Sequence, residues 1–91
     1  MKLYLVTRED LPAGQQAVQA AHALQEYNIS FPDQAKCWHS ESNTLALLAT
    51  RDEPSLFQRM YRAERQGLPF APFYEPDRGN ELTAIAFGPS C

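Results

Sequence analysis

The chain has 91 residues, below the roughly 100 to 200 residues of a typical domain, which limits it to one compact core and excludes a two-domain arrangement. A hydrophobic fraction of 44% and an aromatic fraction of 11% exclude intrinsic disorder as a description of the whole chain. Eleven acids against eight bases give a net charge of -3, which argues against a general nucleic-acid coat and confines any RNA partner to one locally basic face.

A domain this small has a thin stability margin, and a homodimer is a physically reasonable supplement. The two cysteines, Cys37 and Cys91, are too few for a disulfide framework, and a reducing cytoplasm fits them. The opening Met1-Lys2-Leu3-Tyr4-Leu5-Val6 has an apolar run too short for a signal h-region or a membrane span.

Residues 2–7 cluster apolar and β-favouring side chains and predict a buried strand that ends at Arg8-Glu9-Asp10. Pro12 and Gly14 mark a turn. From Gln15 to Tyr27 the chain is rich in alanine and glutamine, with Ala17, Ala20, Ala21, Leu24 and Tyr27 at helical spacing, which predicts a helix able to approach its neighbours closely. A short helix is expected after Pro32, ending near Trp38 or His39. The near-continuous apolar run Thr44–Thr50 reads as a central strand covered on both faces.

Asp52, Glu53 and Pro54 form a strong helix start. That helix should run to about Gln66 and stop at Gly67, burying Leu56, Phe57, Met60 and Tyr61 while Arg59, Arg62 and Arg65 step round the outside. Residues 70–74 predict a strand that Pro72 demotes toward an edge. After a polar loop, Thr83–Phe87 reads as the last strand. The order β-α-α-β-α-β-β implies an α/β sheet with helices on its faces, the first crossovers right-handed and parallel.

No zinc spacing, phosphate-cradling glycine loop or dinucleotide fingerprint is present, so cofactor chemistry has no support. The polar residues that can converge lie where strands end: Arg8 and Asp10 after the first, Glu75, Asp77 and Arg78 after the third. In such a sheet ligands sit beyond the carboxyl ends of parallel strands. His22, inside the alanine-rich helix, is either a general base or a packed ring with one nitrogen bonded. Glu75 and Asp77 flank Pro76 and either divide acid and base roles or shape a turn around Gly79. The arginines at 59, 62 and 65 offer a few phosphate contacts or form a solvated face.

Taken in order, Arg8-x-Asp10-Leu11, Gly14, Gln19-Ala20-Ala21-His22-Ala23, Trp38, Gly67-Leu68-Pro69 and Thr83-Ala84-Ile85-Ala86-Phe87-Gly88-Pro89 resemble the type 2 peptidyl-tRNA hydrolase family over nearly the entire chain. The resemblance implies a single domain over residues 1–91, with three α/β/α layers around a four-stranded mixed sheet. It also implies hydrolysis of the ester joining peptide to the terminal ribose of tRNA, without a metal or organic cofactor. Where the family has a lysine after the first-helix glycine, this chain has Gln15, which donates a hydrogen bond but carries no charge.

The last loop is compressed, so the family's aspartate falls on Asp77, with Glu75 the second choice; Thr83 matches the family threonine. The implied site has His22, Asp77 and Thr83 as catalytic residues. Arg8, Gln15, Gln19, Glu75 and Arg78 bind substrate, with Arg8 or Arg78 replacing the missing charge. Two other functions stay open: a tRNA- or nucleotide-binding module that has lost turnover, and a protein-interaction domain.

Overall fold

A computed structural model describes residues 1–89. The elements are β1 (Lys2–Arg8), α1 (Ala13–Ser30), α2 (Pro32–Glu41), β2 (Thr44–Thr50), α3 (Glu53–Arg65), β3 (Phe70–Glu75), a 3-10 turn (Pro76–Arg78) and β4 (Glu81–Phe87). The four strands form one mixed sheet in the order β2-β1-β4-β3. β1 pairs parallel to β2 and antiparallel to β4, and β3 pairs antiparallel to β4.

Strand alternation sorts the core into two clusters. Leu3 and Leu5 of β1 join Ala84 and Ala86 of β4 against Ala20, Ala23 and Tyr27 of α1 and Ala35 and Trp38 of α2. Val6, Leu82 and Ile85 point the other way, onto Leu56 and Met60 of α3. The alanines let α1 lie close to the sheet, as the composition of that segment suggests.

β4 departs from regular alternation at one place. Phe73 is opposite Ala84 and Tyr74 is opposite Leu82, so Thr83 is the extra residue of a β-bulge. The bulge turns Thr83 toward α1, on the same side as Ala84, and restores Leu82 to the α3 side.

Helix α3 begins as expected. Asp52 caps it, accepting from the Ser55 backbone N–H at 3.1 Å and the Ser55 hydroxyl at 2.8 Å, and Gly67 closes it in the left-handed region at φ 69°. Tyr61 corrects the expected buried face, because it is exposed while Leu56 and Met60 are buried.

The second correction concerns β2, which is an edge strand and not a central one. Leu45, Leu47 and Leu48 are 47%, 57% and 44% exposed, which shows that neither face of the strand is covered. A continuous apolar run carries no information about which strand will have two neighbours. β3 is the opposite edge, as Pro72 requires. Of the two cysteines, Cys91 lies outside the described residues. Among the described residues no helix is long and apolar enough to cross a membrane.

Candidate active site

The carboxyl ends of β1 and β3 and the start of β4 lie at one end of the sheet, and the first half of α1 crosses above them. Gln19 and His22 are one helical turn apart and share a helix face. Phe73 and Glu75 are two residues apart on β3 and share a strand face. These two pairs meet: the Gln19 Nε2 donates to Glu75 Oε1 at 3.0 Å, and the His22 ring stacks on Phe73 with centroids 4.4 Å apart and planes 8° from parallel. Strand rise puts the His22 stack and the Glu75 carboxylate about 7 Å apart.

Beneath them, the Thr83 hydroxyl donates to Gln19 Oε1 at 2.7 Å, and the Thr83 carbonyl accepts from the Thr7 hydroxyl at 3.1 Å. Thr83 and Thr7 are fully buried and Gln19 nearly so, whereas Glu75 is half-buried. Glu75 is therefore the member of this chain that meets solvent, and its Oε2 has no partner among the described residues. An amide oxygen is not a base, so the Thr83 proton has nowhere to go and Thr83 holds Gln19 in place.

A second cluster is centred on Arg8. Its Nε and NH2 donate to both Asp10 oxygens at 2.9 and 2.8 Å. Its NH1 donates to Glu81 Oε1 at 2.8 Å and to the Leu82 carbonyl at 3.1 Å. The bonds from Arg8 hold the Asp10 and Glu81 carboxyls below their ordinary range, and those same bonds hold the Arg8 proton more tightly. Among the described residues Arg78 Nε is buried without a hydrogen-bond partner and reaches Glu81 Oε1 only at 3.5 Å.

The expected site residues thus divide. Gln19, Glu75 and Thr83 are hydrogen-bonded in series, with His22 beside them on Phe73. Arg8 and Arg78 share Glu81, a residue that sequence reasoning misses because it is 73 positions from Arg8. Asp77, in the 3-10 turn, and Gln15, in the first turn of α1, are exposed and their side chains make no hydrogen bond among the described residues. Arg8 is 5% exposed and faces two carboxylates, so it offers little net charge for the role the missing lysine would fill. Among the described residues no group of three His, Cys, Asp or Glu side chains converges to hold a metal ion.

Comparison with known proteins identifies the family. The family described as Peptidyl-tRNA hydrolase PTH2 matches residues 1–91. Peptidyl-tRNA hydrolases of Halobacterium salinarum strains R1 and NRC-1 are each 31% identical to this chain over 97 residues, covering 99% of it and 87% of the relative. The chain is a member of the peptidyl-tRNA hydrolase PTH2 family.

Proposed function

We propose that this chain, as a single domain over residues 1–91, hydrolyses the ester bond of peptidyl-tRNA and releases peptide and tRNA. The observation that carries this reading is the series Glu75–Gln19–Thr83, which ends in a half-buried carboxylate with one oxygen unpartnered among the described residues. Glu75 takes a proton from the attacking water. Gln19 fixes the carboxylate, and buried Thr83 fixes Gln19, so both are positioning residues. His22, held flat on Phe73, presents a ring N–H toward the developing oxyanion or the departing ribose oxygen. No residue in this set needs a cofactor. The reading places the protein in the cytoplasm, where tRNA is its partner.

The test compares Glu75→Gln with Asp77→Asn on an N-acetylaminoacyl-tRNA. Loss of a general base costs about 10² to 10⁴ in rate, and that loss is expected at Glu75, with Asp77→Asn within a few-fold of the natural chain. A larger loss at Asp77 would transfer the base role to that residue.

A second reading is favoured by one specific observation: Gln15 is neutral and Arg8 is already neutralised by Asp10 and Glu81. It makes the chain a tRNA-binding module without turnover. Gln15→Lys separates the two, because a large gain in cleavage means the natural chain is impaired, and no change means that another group supplies the charge.

A further inference from the structure

With Arg8 neutralised, the positive charge that RNA requires must come from another part of the surface. Residues 51–65 hold four arginines against three acids, whereas the rest of the chain holds four cations against eight acids. Two of those three acids are already engaged. Asp52 caps α3 through Ser55, and Glu53 Oε2 accepts from the Leu82 backbone N–H at 2.8 Å. Arg59 and Arg62 are exposed and have no carboxylate within 4 Å among the described residues, while Arg51 meets Asp52 at 3.5 Å.

Arg51, Arg59 and Arg62 converge on one cleft of about 290 Å³ between the end of β2 and α3, which Thr50, Ser55 and Gln58 complete. The Thr50 and Ser55 hydroxyls donate inside the protein, so the donors facing the cleft are guanidinium groups and the Gln58 amide. Guanidinium forks match phosphate oxygens in pairs.

We propose that this cleft is a second binding site, which holds backbone phosphates of the tRNA substrate; the inference rests on the tRNA reading above. Its position suits that role. Thr50 is paired in register with Arg8 and its carbonyl accepts from the Glu9 backbone N–H at 2.7 Å, so the cleft lies at the same end of the sheet as Glu75. β2 and β3 are the two edges of a four-stranded sheet, and the cleft lies on the α3 face while Glu75 lies on the α1 face, so cleft and carboxylate are at least about 14 Å apart at one strand spacing per step, with the sheet end between them. An acceptor stem seated at the arginines lays its 3′ end across the sheet end toward Glu75.

The experiment uses the full chain and an Arg59→Glu/Arg62→Glu double variant whose melting is first shown to match the natural protein. Retention of deacylated tRNA is measured across a salt series, and cleavage of N-acetylaminoacyl-tRNA is compared with that of a short N-acetylaminoacyl-adenosine ester. Affinity for tRNA should fall at least tenfold at low salt. The slope of log affinity against log salt should flatten by about 2, at roughly 0.9 for each phosphate that is no longer neutralised. KM for the tRNA ester should rise, while the short ester, which does not span to the cleft, does not register the change.

Unaltered tRNA retention and slope in the folded double variant overturns the proposal, as does failure of the natural chain to retain tRNA at low salt. Should the natural chain cleave neither ester, the hydrolase reading falls while the retention series still decides the cleft.

Discussion

Gln19 and Thr83 share a 2.7 Å hydrogen bond in which the hydroxyl donates and the amide oxygen accepts, and the direction of that bond is set from the far end of the glutamine. The Glu75 carboxylate only accepts, so it must face the Gln19 nitrogen. A buried amide with both ends engaged holds one orientation, and with it one orientation of Glu75.

Gln19→Leu should therefore lower kcat by about tenfold or more with little change in KM. It should also destabilise the fold by about 1 to 3 kcal/mol, because the Thr83 hydroxyl loses its 2.7 Å acceptor and keeps only the Phe73 carbonyl at 3.4 Å. Thr83→Val added to Gln19→Leu removes the stranded hydroxyl, so the pair should be less destabilised than the sum of the single changes. Denaturant midpoints across the four-member cycle check this, and strict additivity would show that the bond does not couple the two.

The cluster around Arg8 fixes a pH dependence. The carboxyls of Asp10 and Glu81 are held low in the folded state by bonds from Arg8. Their contribution is complete above the unfolded carboxyl range near pH 4 and is lost as pH falls through the folded values. Arg8→Met should lower stability at neutral pH by about 1 to 3 kcal/mol, moderated because both acids are part-exposed. It should also flatten the decline in denaturant midpoint between about pH 6 and pH 3. Parallel curves for the two proteins would show that the cluster does not set the acid limb.

Tyr27 is fully buried, yet its hydroxyl has no hydrogen-bond partner among the described residues, and burial raises its ionisation above the ordinary phenol range. Tyr27→Phe should leave stability unchanged or raise it by up to about 1 kcal/mol, since the unpartnered hydroxyl costs desolvation. Gly88 explains the crowding around that ring: a Cβ there would sit 1.8 Å from the Tyr27 hydroxyl and 2.4 Å from its ring carbon. Gly88→Ala should cost about 2 kcal/mol or more, and Tyr27→Phe should rescue it only in part. Thermal melts of the three variants decide the order.

The β2 edge carries Leu45, Leu47 and Leu48 in the open, with no charge or proline between Thr44 and Thr50 to blunt it. We propose that a second copy pairs there, antiparallel about Leu47, so that apolar and threonine side chains face each other with no like charges opposed. Leu47→Lys should shift sedimentation from dimer to monomer. A natural chain that sediments as a monomer at high micromolar concentration removes the idea.

Periodicity and punctuation make most of the elements readable: Asp52 and Gly67 bracket α3, and Pro72 marks an edge. The position of β2 is not readable, because the run Thr44–Thr50 has the same composition whether a strand has one neighbour or two. Within the site, Arg8 and Asp10 are close in sequence and their pairing is local, whereas Glu81 reaches Arg8 only through the antiparallel return of β4. Glu75 and Asp77 look alike as a string. They differ in the fold because one ends a strand beneath Gln19 and the other stands on a 3-10 turn.

Strike Thr83 out of β4 and the remaining Leu82-Ala84-Ile85-Ala86 alternates between the α3 and α1 sides without a fault. The packed interior has no need of the threonine: it is a supernumerary residue, added to a strand already complete and displaced onto the helix that carries Gln19. Polar machinery gained in this way leaves every apolar neighbour in its seat, so the hydrophobic layers and the hydroxyl beneath the carboxylate can vary independently of each other.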